Sequence, residues 1–154
     1  MARVMVGEFE IPAIVDEMLR LGTWPSDDAR WWASRAPEQL VRAILPDEGC
    51  FCLFSPPFRT LEDDQRMSRS RWWKQFLDRC RHPDEVDYSK AVMVADFGPG
   101  SENPVVLDYR HTPPEVMALS FTFHRDRDPG QELEGHWVVL ASTLEELLDK
   151  LGLR

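Results

Sequence analysis

The sequence predicts an α+β fold, and three observations predict it. Apolar residues recur at helical spacing through the first half of the chain, over residues 1–81. From Ala91 to Ala141 the pattern changes to short apolar or alternating segments, split by Gly/Pro clusters whose connections are too short for helical crossovers. A Ser142-Thr-Leu-Glu145 capping box then opens a leucine-rich terminal helix. The expected architecture is a mainly antiparallel or mixed central sheet with helices packed around it. It has a helix-rich N-terminal half and a closing C-terminal helix, all in one domain over residues 1–154.

Each element has a local cause. Ile11, Ile14, Val15, Met18 and Leu19 give one helical face between Glu10 and Leu21, and Gly22 supplies the stop. Ser26 with Asp27 and Asp28 forms an N-cap with first-turn acids for a helix carrying Trp31 and Trp32. Pro37 suits the first position of a helix that reaches Leu45 before Pro46. Cys50–Phe54 forms a short strand, ended by Pro56-Pro57, which donate no ladder hydrogen bonds. Thr60 caps the segment after it, and Trp72, Trp73, Phe76, Leu77 and Cys80 then form a broad apolar helical face.

Beyond Pro83, Ala91–Phe97 reads as a strand and Gly98-Pro99-Gly100-Ser101 as a turn. Val105, Leu107 and Tyr109 alternate with Val106, Asp108 and Arg110. Met117, Leu119, Phe121 and Phe123 fill one face of a further strand. Arg125–Glu134 is a polar loop containing Pro129-Gly130, and Gly135–Ala141 is the last strand. In the capping box Ser142 accepts from the Glu145 amide and Glu145 reaches back. Leu144, Leu147, Leu148 and Leu151 line the core face of that helix, and Gly152 ends it.

Composition narrows the function. The 154 residues include 43% hydrophobic and 29% charged residues, the balance of a folded chain, so disorder is a poor reading. The longest apolar runs, Ala91–Ala95 and Trp137–Ala141, are far too short to cross a bilayer. Glu8 and Glu10 stand where an export signal needs an apolar run. Three cysteines, Cys50, Cys52 and Cys80, argue against a disulfide framework and for a reducing cytoplasm. The net charge is −9. Residues 1–81 hold 12 basic and 13 acidic residues, a balance of −1, and residues 82–154 hold 6 and 14, a balance of −8. An acidic half gains nothing from phosphate contacts, so no direct nucleic-acid partner is expected, but it can steer a basic protein.

From Ala91 to Leu151 the order of motifs resembles the SUKH superfamily of cell-wall-assembly regulators and toxin-immunity proteins. A strand is followed by the Gly98–Ser101 turn, then Pro104-Val-Val-Leu-Asp-Tyr-Arg110, and then Pro113-Pro114-Glu-Val116. After a variable loop come Trp137-Val-Val-Leu-Ala141 and a helix beginning Ser142-Thr-Leu-Glu-Glu-Leu147. Residues 1–81 form a divergent helical part, and Leu144 stands where the family commonly has phenylalanine. The resemblance implies a compact α+β domain that acts by protein contacts, without catalysis. Bacterial members are implied to neutralise cognate toxins, often nucleases.

The candidate residues follow. Asp126, Asp128, Glu132 and Glu134 lie in the long polar loop and would enter the basic active site of a toxin. Tyr109 and Arg110 are of types enriched in interface anchors. Gly98, Gly100, Asp108, Trp137, Ser142 and Glu145 are read as structural, with Asp108 ordering the Gly98–Ser101 loop. Gly98–Ser101 does not read as a phosphate cradle, since Pro99 lacks an amide proton and a strand follows. A zinc site from Cys50, Cys52, Cys80 and His82 lacks the tight paired spacing of such sites. The basic stretch Arg66–Arg81, with Trp72 and Trp73, reads as an amphipathic helix with its aromatics in the core rather than an RNA or membrane contact. The expectation is an immunity-type binding protein with no catalytic residue, cofactor or metal. One alternative is a regulatory scaffold using Trp31, Trp32 or Phe58. Another is a small hydrolase or metal enzyme using His82 or His111 beside Asp108.

Overall fold

The computed structural model describes residues 3–26, 36–97 and 103–154. The proposed Ser26–Asp28 cap, Trp31, Trp32 and the Gly98–Ser101 turn with Gly98 and Gly100 lie wholly or mostly outside the described residues. The chain opens with a small hairpin, β1 (Met5–Val6) and β2 (Phe9–Glu10), turned at Gly7, whose φ of +57° lies in the left-handed region that favours glycine. Helix α1 follows at Ala13–Leu21. It starts later than the apolar spacing suggests. Residue Ile11 precedes Pro12 and is biased to extended backbone, where its amide donates to the Val4 carbonyl. Gly22 closes α1 with φ +74°.

Helix α2 (Glu38–Ile44) is preceded by Pro37 as N-cap. Then come β3 (Cys52–Leu53), β4 (Arg59–Thr60), α3 (Leu61–Met67) and α4 (Arg71–Arg79). Thr60 caps α3 by accepting from the Asp63 amide, and Ser70 caps α4 by accepting from the Trp73 amide. The strands β5 (Ala91–Asp96), β6 (Pro104–Asp108), β7 (Glu115–Phe123) and β8 (Leu133–Ala141) precede the closing α5 (Leu144–Lys150).

Among the described residues the main sheet has six strands in the order β3-β5-β6-β7-β8, all paired antiparallel, with β4 also on β5. The short β3 and β4 occupy the same side of β5 in succession, with Ser55-Pro56-Pro57-Phe58 between them. That proline step splits what would otherwise be one edge strand. This is the α+β architecture with antiparallel pairing that the connection lengths imply.

The sheet separates two apolar layers. On one side α1, α2 and α5 pack on Val105, Leu107, Val116 and Ala118. On the other, α3 and α4 with Tyr88 pack on Val106, Met117, Leu119 and Trp137. Strand β6 is buried on both faces, which is why its alternation in sequence marks two interiors rather than an inside and an outside.

Asp108 pairs with Ala91, at the opposite end of the β5–β6 ladder from Asp96 and Pro104, and the Gly98–Ser101 segment that it is expected to order lies outside the described residues. Two local expectations need correction. The α5 cap is shifted by one residue: Thr143 accepts from the Glu146 amide and Glu146 accepts from the Ser142 amide, so neither the Ser142 hydroxyl nor Glu145 has the role assigned to it. Thr143 is the extended residue that directly precedes α5, with φ −143° and ψ 162°, so it and not Ser142 takes the capping position. Glu134 belongs to β8, opposite Thr122, and not to the polar loop.

Candidate functional site

Two features on the α4 side and free edge of β8 stand apart from the packing. The first is an aromatic face. The four apolar positions of α4 and Cys80 after it span too wide an arc for one interface. Phe76, Leu77 and Cys80 are buried, and Trp73 is partly buried with its indole NH on Asp64 Oδ2 at 3.2 Å. Trp72, expected in the core, is instead 50% exposed and stacked on Phe76 with ring centroids 5.2 Å apart.

Phe76 in turn meets Phe121 of β7 at 5.3 Å. Phe121 and Phe123 share a strand face, and Phe123 is paired across the hairpin with Leu133. Strands β7 and β8 run beyond the helices that cover them, leaving Phe123 60% and Leu133 39% exposed. The hairpin tip is tied down by Arg79, whose guanidinium donates to the Gly130 carbonyl at 2.7 Å and lies over the Phe76 ring. Exposed Arg71 precedes Trp72 on α4, and the loop between β7 and β8 carries exposed Arg125, Asp126, Arg127 and Asp128.

The second feature is a chain of histidines and carboxylates along β8. As the last strand of the sheet, β8 has one side without a strand neighbour. Residues 80–86 run along it. His82 Nε2 donates to the Gly135 carbonyl at 2.8 Å, and the Trp137 amide donates to Glu85 Oε1 at 2.8 Å. These bonds satisfy backbone groups that an open edge would leave to solvent.

Beside them, His136 donates from Nδ1 to Glu85 Oε2 at 3.0 Å and from Nε2 to Glu134 Oε1 at 2.8 Å. Two carboxylates accept from one ring, so Glu85 first and Glu134 second push the His136 pKa up. Glu134 also accepts from His124 at 2.9 Å and pairs with Arg127 at 3.0 Å. His136, then His124 and Arg127, pull its pKa down to about 2. Burial opposes ionisation of Glu85, yet His136 and the Trp137 amide hold it below the usual carboxylate range. The His82 ring stacks on His136 at 4.7 Å with 13° between planes. Three of the four histidines in the chain thus join one network. An open groove of about 360 Å³, lined by Phe76, His82, Arg127 and Leu133 among others, links it to the aromatic face.

The other candidates fall as follows. Tyr109 packs its ring on Phe9 at 4.7 Å and donates its hydroxyl to the Glu10 carbonyl, fastening the N-terminal hairpin to β6. Arg110 is bound to buried Asp108, donating from Nε to Oδ1 at 3.0 Å and from NH2 to Oδ2 at 2.8 Å, and also to the Glu85 carbonyl. Glu132 accepts from the Gly130 amide within its own loop. Trp137 is in the core, its indole NH on the Cys80 carbonyl at 3.1 Å. Phe58 is buried, edge-on to Trp24.

The cysteines do not converge. Cys50 is exposed and outside β3, Cys52 is buried, and among the described residues neither group of three or more possible metal ligands contains a thiol. His111 does lie 3.6 Å from Asp108, as the enzyme alternative requires, but the Arg110 guanidinium already occupies that carboxylate. Among the described residues no helix is long and apolar enough to cross a membrane. Nothing in the sequence separated Trp72 from Trp73. The Glu134–His136 pair, at i and i+2 of one strand, was a visible signal for the network. Its partners His82 and Glu85 were not, since only the path of residues 80–86 along β8 brings them in. Comparison of the chain with protein-family models, with curated proteins and with solved structures finds no match.

Proposed function

We propose that this chain is a non-catalytic protein-binding domain of the SUKH kind, an immunity protein that neutralises a basic toxin domain by covering its active site. The observation that carries this reading is the exposed aromatic face of Trp72, Phe123 and Leu133, joined through Phe76 and Phe121. Such a patch costs solubility unless a partner uses it, and tryptophan and phenylalanine desolvate a large area with few rotatable bonds. Asp126 and Asp128 stand exposed in the loop beyond this face, and the net charge of −9 steers a basic partner. Tyr109, Arg110, Glu132 and Glu134 are committed to internal bonds, so they support the scaffold and do not anchor the partner.

The test is protection. A toxin domain encoded in the neighbouring reading frame should arrest growth when expressed alone and fail to do so with this protein. Loss of protection in Trp72→Ala, with the protein still folded and abundant, supports the face. Protection by a variant lacking both Trp72 and Phe123 side chains contradicts it. A partner bound through the same face but without toxic activity would favour the scaffold alternative, which the exposed Trp72 also suits.

A further inference from the structure

We propose that His82, Glu85 and His136 form a binding site for a divalent first-row transition metal, zinc being the ion they fit, with His82 and His136 ligating through Nδ1 and Glu85 through Oε2. One ligand atom from each of the three residues lies within 4.8 Å of the other two. In a tetrahedral zinc site with bonds of about 2.0–2.2 Å, neighbouring donors stand roughly 3.3 Å apart. The His136 Nδ1–Glu85 Oε2 separation is already 3.0 Å. His82 is stacked on His136 with 13° between ring planes, so its ring must turn out of the stack to bring an in-plane lone pair onto the shared ion.

The surroundings prepare each ligand. His136 Nε2 donates to Glu134 Oε1, the carboxylate–histidine arrangement that leaves the other ring nitrogen with its lone pair for a metal. His82 Nε2 donates to the Gly135 carbonyl, which likewise leaves Nδ1 as the basic nitrogen. The Trp137 amide holds the second oxygen of Glu85. Binding replaces the proton between His136 and Glu85 with the ion, and that proton leaves to solvent. Two imidazoles and one carboxylate suit zinc, cobalt or nickel and not magnesium or calcium, which take oxygen ligands. The other such cluster among the described residues, Asp108, His111 and Glu115, has no such vacancy for a cation, because Arg110 stands 2.8 Å from Asp108. The site is independent of the proposed partner and needs no toxin to be tested.

Chelator-treated protein is titrated with Zn²⁺ against a chromophoric chelator, with thermal unfolding followed in parallel. The expected result is one saturable ion per chain, a rise in Tm on binding, and no binding of Mg²⁺ or Ca²⁺. Co²⁺ should give ligand-field bands without a thiolate charge-transfer band. His136→Gln should abolish binding, Glu134→Gln should weaken it roughly 10- to 100-fold as loss of an outer partner does, and His124→Ala should leave it intact. Absence of saturable binding, equal loss in His124→Ala, a thiolate band, or undiminished affinity in folded Glu134→Gln would each overturn the proposal.

Discussion

Gly135 in β8 has no room for a side chain, and Gly135→Ala measures how tightly α4 is seated on the sheet. A β-carbon there would lie 2.6 Å from Cys80 Sγ and 3.0 Å from Leu119 Cδ1. Comfortable contacts are roughly 3.5–4.0 Å, so Cys80 would have to retreat by about 1 Å. It has little freedom to do so. It is buried at the end of α4, its carbonyl holds the Trp137 indole, and its amide donates to the carbonyls of Phe76 and Leu77. Overpacking of this sort costs about 1–3 kcal/mol. For a chain of this length that lowers Tm by roughly 2–4 °C per kcal/mol, hence about 4–8 °C for a cost near 2 kcal/mol.

The assay is a double-mutant cycle by urea unfolding. Cys80→Ala alone leaves a small cavity and destabilises on the order of 1 kcal/mol. Combined with Gly135→Ala it removes the colliding sulfur, so the pair should cost at least ~1 kcal/mol less than the sum of the singles. Strict additivity, or a Gly135→Ala protein as stable as the parent, would refute the close seating of α4 on β8.

Further perturbations probe other parts of the account. Arg110→Ala strands the buried Asp108 carboxylate and should destabilise by about 3 kcal/mol. Asp108→Ala should cost less, because Arg110 is partly exposed and keeps the Glu85 carbonyl; urea unfolding of both decides it, and the reverse order would contradict the pairing. An aromatic disulfide reagent at pH 8 should modify Cys50 quickly and all three thiols only after denaturation, since Cys52 is buried and burial pushes the Cys80 pKa up to about 11; rapid native modification of Cys80 would contradict its placement. Thr143→Ala should cost about 1 kcal/mol through loss of the α5 cap, whereas Ser142→Ala should cost little, as chemical unfolding can compare. The Ser142 amide and the Lys150 ammonium hold Glu146 below its ordinary pKa of 4.5, so its contribution is present above that pH and is lost as pH falls through the lower folded value. Acid unfolding of Glu146→Gln should therefore show a shallower pH dependence than that of the parent, and identical curves would refute the contribution.

How far these features could be read in advance depends on where their information sits. Helix α5 was legible because Leu144, Leu147, Leu148 and Leu151 are local and periodic, although the cap slid from Ser142 to Thr143 because adjacent hydroxyl residues each satisfy the motif. The central strands were legible from their alternation and breakers. The hairpin of Met5–Val6 and Phe9–Glu10 was not, because two-residue strands are shorter than any periodicity, and β4 hides between a proline step and a helix cap. The partners of Asp108, Ala91 across the ladder and Arg110 by ion pair, could not be named, since strand register is set by the whole sheet. The histidine network joins residues about 50 positions apart through an edge strand, and edge position is a property of topology. Trp72 and Trp73 are neighbours in sequence with opposite fates, which the helix's rotation on the sheet decides.

The most direct measurement is calorimetric titration of a candidate basic toxin domain that the parent protein protects against, into the parent and into a Trp72→Ala/Phe123→Ala variant, at two salt concentrations. The account predicts sub-micromolar binding by the parent that weakens with added salt. It also predicts a loss of at least roughly 30-fold in the variant, the effect of removing an anchor worth about 2 kcal/mol or more. Equal affinity of the two proteins, each shown to be folded, would contradict it.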